Sequence, residues 1–219
     1  ARDGIRITSD QAIAINNHSL LSSESPIEMN AGTQVNLEGT IRSKEKIRFE
    51  GDNGFIQGEI FGKNIAIETN DNLQLKGKVY GDEQIQVKSG SIQMEDGILS
   101  GNQGVQLEAT IEDLVLNNTE IESPMDIALI AAQDVSLSGS LKTNEEIYVE
   151  GQQDVRMNAL MQGHTAQLRA QRNLSVEPTS DVKVTEALAL EATNDVTLQG
   201  QSQSGTLTLS GNTIHVAGQ

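Results

Sequence analysis

A two-residue apolar alternation returns about every 20 residues along the whole chain, and it constrains the fold more than any other feature. Each return opens with two apolar residues separated by one: Ile5/Ile7, Ile27/Met29, Ile47/Phe49, Ile65/Ile67, Ile85/Val87 and Val105/Leu107. The series continues through Ile127/Leu129, Ile147/Val149, Ala166/Leu168, Leu188/Leu190 and Leu207/Leu209. The ten steps between these eleven openings are 22, 20, 18, 20, 20, 22, 20, 19, 22 and 19 residues. Alternation of period two points a strand's apolar residues to one side, and a 20-residue repeat of such strands is the signature of a solenoid. Helix is a poor alternative, because the apolar period is two and breaks every few residues. The expected fold is all-β: a right-handed parallel β-helix of about eleven rungs over residues 1–219, one segment without separate cores.

The copy IALIAAQDVSLSGSLKTNEE, from Ile127 to Glu146, defines one rung. Ile127 and Leu129 point inward from a first strand, and a polar turn follows at Gln133 and Asp134. Val135 and Leu137 point inward from a second strand, Gly139 makes a corner, and Leu141 enters a short third strand. The corner position is Gly39, Gly58, Gly77, Gly139, Gly200 or Gly218 in six copies and Asn17, Asn118 or Asp96 in three more. These residue types tolerate a left-handed backbone, which is the expectation at a sharp corner. Asn or Asp precedes the second strand at Asn53, Asn72, Asp113, Asp134, Asp154, Asn173 and Asp195, where a short polar side chain can bond its own turn. Pro26, Pro124 and Pro178 fall in the three 22-residue copies, so HSLLSSESP, NNTEIESP and EPTSD read as surface loops bulging from a regular shaft.

Composition agrees with thin stacked rungs. The aromatics are Phe49, Phe55, Phe61, Tyr80 and Tyr148, with no Trp, so Ile, Val and Leu must fill the core. A net charge of −16 argues against nucleic-acid or anionic-membrane partners, which need a basic face. No apolar run reaches the roughly 20 residues that span a bilayer. The chain has no cysteine, so a secreted form would depend on stacked core and hydrogen bonds and could cross an envelope unfolded without premature disulfides. No signal peptide is visible and the repeat is already under way at the first residues, so the sequence reads as a fragment of a longer filamentous protein.

The outward residues offer no convergent acid–base set. On the first strand they read Arg6, Glu28, Arg48, Ala66, Gln86, Gln106, Ala128, Tyr148, Gln167, Ala189 and Thr208. On the second they read Ala14, Asn36, Phe55, Gln74, Gln93, Val115, Ser136, Arg156, Ser175, Thr197 and His215. The expectation is a non-enzyme without cofactor or resident metal. An acidic line, Asp113, Asp134 and Asp154, has two readings: a calcium site between rungs, or a ladder of turn caps. The second is favoured, because carboxylates about 4.8 Å apart repel by only about 1 kcal/mol in water, which a local hydrogen bond offsets. His18, His164 and His215 are scattered and read as surface residues. Counting from the corner places Phe61, Tyr80 and Leu99 at one outward position on successive rungs, with Phe55 on the neighbouring face. That apolar stripe is the candidate partner-binding surface.

Segments such as LIAAQDVSLSGSLKTNEEIYVEGQQDVRMNALMQG and LALEATNDVTLQGQSQSGTLTLSGNTIHVAG resemble the haemagglutinin repeats of two-partner-secreted exoproteins, including filamentous haemagglutinins and the effectors of contact-dependent growth inhibition. The likeness rests on the period, the (N/D)-(V/L)-x-(L/V)-x-G core and the lack of cysteine. It implies a shaft on the surface of a Gram-negative cell, secreted or held at the outer membrane. Such a shaft mediates cell–cell contact or presents a toxin, and its partners are adjoining rungs of the longer chain and a receptor on a host or neighbouring cell. GEIFGKN and GKVYGDEQ are similar to the short glycine-rich rungs of bactofilins, cytoskeletal solenoids that polymerise end to end. A polysaccharide-degrading β-helix enzyme is the third alternative, disfavoured by the lack of an acidic cluster.

Overall fold

The computed structural model describes residues 3–217. Among the described residues there is no helix, and 25 strands follow one another in a single parallel network. All eleven opening residues fall in one register, Ile5 against Ile27, Ile27 against Ile47, and onward through Leu188 against Leu207. The chain is a parallel β-solenoid of three faces per rung. In the rung defined above, Ile127–Ala131 forms the first face, and Val135–Thr143 runs across Gly139 to supply the second and third. At about 4.8 Å per rung, eleven rungs make a rod roughly 50 Å long.

The inward residues form one uninterrupted core. Ile27, Leu37, Ile41, Ile47, Ile60, Leu75, Ile85, Leu107, Leu129 and Leu168 are all fully buried, and Phe49 is the one aromatic among them. Each such side chain contributes roughly 1.5–3 kcal/mol on leaving water. The cross-section narrows at its corners, and residue size follows. The last inward residue of the first strand runs Ser89, Ala109, Ala131, Gly151, Ala170 and Ala192 in register up the rod. At the third corner the ladder uses Gly in some rungs, Gly62, Gly81 and Gly101, and Ser or Thr in others, Ser23 beside Ser43 and Ser123 beside Thr143. Ser43 Oγ donates to the Ser25 carbonyl at 2.8 Å and accepts the Glu45 N–H at 3.0 Å. Thr143 repeats this with the Met125 carbonyl and the Glu145 N–H, so one hydroxyl satisfies two turn groups on neighbouring rungs.

Two sequence expectations are corrected here. First, most corner glycines are not left-handed: among the described corner positions only Asp96, Asn118 and Gly139 have positive φ, at 52°, 50° and 116°. Gly39, Gly58 and Gly77 are glycine because successive corners stack too closely for a side chain. A Cβ at Gly58 would lie 1.9 Å from the Gly39 carbonyl oxygen, and one at Gly77 would lie 2.1 Å from that of Gly58. Gly218 lies outside the described residues.

Second, HSLLSSESP and NNTEIESP are largely paired strand rather than bulging loops, whereas EPTSD does hold a surface turn at Pro178 and Thr179. Leu20–Ser23 is a third-face strand paired with Thr40–Ser43, and Glu120 to Ser123 pairs with Ser140 to Thr143. Asp181, which ends EPTSD, likewise begins a paired strand. Pro26, Pro124 and Pro178 are exposed turn residues between these strands. The additional residues of the longer rungs form tight turns, and in the ninth rung that turn contains Pro178 itself. In the first and ninth rungs the same turn closes the second corner, with Ser19 N–H to Asn16 carbonyl at 3.1 Å and Ser180 N–H to Glu177 carbonyl at 2.9 Å. In the sixth rung the insertion lies around Thr110 to Asp113 and leaves Ile111 59% exposed.

On the third face of the eighth rung, Met161 rather than its neighbour Leu160 is the inward residue. Met161 is fully buried and Leu160 is 37% exposed.

Candidate binding surface

Both outward series read from the sequence stand on the first and second faces as expected, in continuous register from Arg6 to Thr208 and from Ala14 to His215. The aromatic stripe is only partly assembled. On the third face Arg42 pairs with Phe61, and Phe61 with Tyr80. The Phe61 and Tyr80 rings stack with centroids 5.1 Å apart and planes 13° from parallel. The Arg42 guanidinium covers Phe61 at 4.5 Å from the ring centroid. Aromatic and cation–π contacts of this kind are each worth about 0.5–1.5 kcal/mol, so the three side chains brace successive rungs.

Leu99 does not join them. It lies opposite Val79 and is fully buried, and the outward neighbour of Tyr80 is Ser100. The cause is one additional residue at the corner: Asp96 turns left-handed at φ 52° and Gly97 follows, so a count from the second strand places the third strand one position off. Because side chains alternate, that single step exchanges surface for core. Phe55 is on the second face between Asn36 and Gln74, separate from the Phe61–Tyr80 stack.

The acidic line is a hydrogen-bond ladder. Asp113 Oδ1 accepts the Asp134 N–H at 3.0 Å, and Asp134 Oδ1 accepts the Asp154 N–H at 2.9 Å. Asp154 Oδ1 in turn accepts the Asn173 N–H at 3.1 Å and Nδ2 at 2.9 Å. Each carboxylate therefore caps the turn of the next rung rather than its own. Arg172 completes the series with two bonds to Asp154, and its guanidinium is the main reason the Asp154 carboxyl lies below the usual carboxylate range. Among the described residues no group of His, Cys, Asp or Glu is placed to hold a metal ion. His164 instead bonds Thr185 through Nδ1 at 2.8 Å and meets Glu186 through Nε2 at 2.7 Å.

Charged side chains on the first and third faces pair across rungs in the same way. Arg6 meets Glu28 at 2.6 Å, Arg48 meets Glu68 at 2.9 Å, and Lys88 meets Glu108 at 3.0 Å. Lys142 meets Glu122 at 2.8 Å and Arg169 meets Glu191 at 2.9 Å. These exposed pairs contribute at most about 1 kcal/mol each and fix register more than stability. Tyr148 donates to Glu150 at 2.5 Å, and burial raises its hydroxyl above the ordinary tyrosine value. The cross-rung contacts could not be read from strand periodicity alone, because their partners are 18 to 22 residues apart; only a full register of the rungs brings them together.

No helix among the described residues is long and apolar enough to cross a membrane. No protein-family model, curated protein or solved structure matches this chain.

Proposed function

We propose that this chain is a rigid shaft segment of a secreted, cell-surface filament that mediates contact between cells or carries a more distal domain, such as a toxin, away from the cell. The observation that supports this reading is one apolar core that runs from Ile13 to Leu198, with Ile5, Ile7 and Leu209 packed against its two ends. Every inner rung is hydrogen-bonded on both sides, so bending the rod means breaking many backbone bonds together. The polar chemistry of the surface serves the same end: the Asp113–Asp134–Asp154 ladder, the cross-rung ion pairs and the Arg42–Phe61–Tyr80 stack all join one rung to the next. The resemblance to haemagglutinin repeats accords with such a part. In this reading the partners are adjoining rungs of a longer chain and a surface receptor, and the location is the exterior of a Gram-negative cell.

Display tests the reading directly. Latex beads coated with the purified chain are expected to attach to intact bacterial or epithelial cells more than albumin-coated beads do. Attachment no better than albumin contradicts the contact role. Filaments formed by the pure chain at micromolar concentration would favour a self-polymerising cytoskeletal solenoid instead.

A further inference from the structure

The second face carries an uncharged patch that the cross-rung bracing does not use up. Four consecutive rungs align Asn36, Phe55, Gln74 and Gln93 in one outward column. A parallel column holds Gln34, Asn53, Asn72 and Ser91 at the mouth of the same strands. All of these except Asn36, together with Gly54 and Leu73, line a shallow trough of about 330 Å³. In a chain of net charge −16, all eight side chains are neutral. Gln34 donates to Asn36 at 2.7 Å and Ser91 to Asn72 at 2.6 Å, which holds the flanks in place. Gln74 and Gln93 are exposed, and neither amide has a side-chain partner among the described residues. Each offers two donors and an acceptor to whatever lies in the trough.

We infer that this trough binds a neutral polysaccharide lengthwise along the rod. A hydroxyl-rich chain presents alternating donors and acceptors that exposed amides match without burying charge. The half-buried Phe55 ring supplies a flat apolar surface for the C–H face of a sugar ring. The rung step of about 4.8 Å repeats these groups at close to the advance of one hexose in an extended chain. The other macromolecular classes fit poorly. A polyanion meets a strongly negative protein and a patch without a cation. An extended peptide would need free backbone groups, and these strands are already paired on both sides.

Native affinity electrophoresis tests this, separately from bead attachment. The full chain is run through gels containing dextran, mannan, galactomannan or hydroxyethylcellulose, with heparin as the polyanion. Retardation by at least one neutral polysaccharide is expected, and Phe55→Ala or a Gln74→Ala/Gln93→Ala pair is expected to weaken it at least tenfold. Tyr80→Ser, on the other face, is expected to leave it unchanged. All four side chains are outward, and circular dichroism confirms that each variant retains its β-structure. The inference is overturned if no neutral polysaccharide retards the chain, if heparin alone does so, or if retardation survives Phe55→Ala and the double variant undiminished.

Discussion

Arg172 holds both carboxylate oxygens of Asp154 from the next rung, through Nε at 2.8 Å and Nη2 at 2.7 Å. Asn173 adds two more donors to the same carboxylate, whose side chain is only 12% exposed. Asp154→Ala leaves these donors unpaired and is expected to cost about 1–3 kcal/mol, read as a lower urea midpoint. The pH dependence follows from the depressed carboxyl. Its folded value lies below the ordinary aspartate value of about 3.9, so the stabilisation is fully present above that pH. It is lost as pH falls from there through the folded value. Between pH 7 and 5 the wild type and Asp154→Ala should therefore differ by a constant amount, with the gap closing only below about pH 4.

The close stacking of corners makes a sharp prediction about glycine. Gly58→Ala would set a Cβ 1.9 Å from the Gly39 carbonyl oxygen, whereas at Gly51 the nearest atom is 3.4 Å away. Gly58→Ala is expected to destabilise by about 2–3 kcal/mol or more, because two backbones must separate. Gly51→Ala should change stability by less than about 1 kcal/mol, since neither clash nor positive φ opposes it. Thermal or urea unfolding of the two variants checks both.

Leu99 and Tyr80 test the corrected register. Leu99→Ala empties a fully buried site and is expected to cost about 2–5 kcal/mol. Tyr80→Ala removes a partly exposed ring from one side of a stack, at about 0.5–1.5 kcal/mol. Equal and small effects would mean that Leu99 lies on the surface.

What the sequence made legible was whatever strand alternation encodes. Inward pairs such as Ile127/Leu129, and the outward series through Phe55 and Gln74, follow from period two within one strand. The third strand was harder, because its phase passes through a corner of variable length. A single left-handed residue at Asp96 was enough to misplace Leu99. Corner chemistry was half legible: the residue types at Gly39, Gly58 and Gly77 were evident, but their cause, carbonyls of the rung beneath, exists only once rungs are stacked. The same holds for Asp113, Asp134 and Asp154, whose partners belong to the following copy.

The central claim is that rungs are interchangeable units of a rod, and deletion by register tests it most directly. Removing residues 127–146 joins Asp126 to Ile147, which then takes the place of Ile127 against Val105. Removing only residues 127–136 leaves ten residues between Asp126 and Ile147, half of the roughly 20 that one rung needs to close its three faces and stack on the rung beneath. Urea unfolding followed by circular dichroism should show the first variant folded, rich in β-structure and cooperative, and the second unfolded or aggregated. Equal damage from the two deletions would contradict the account.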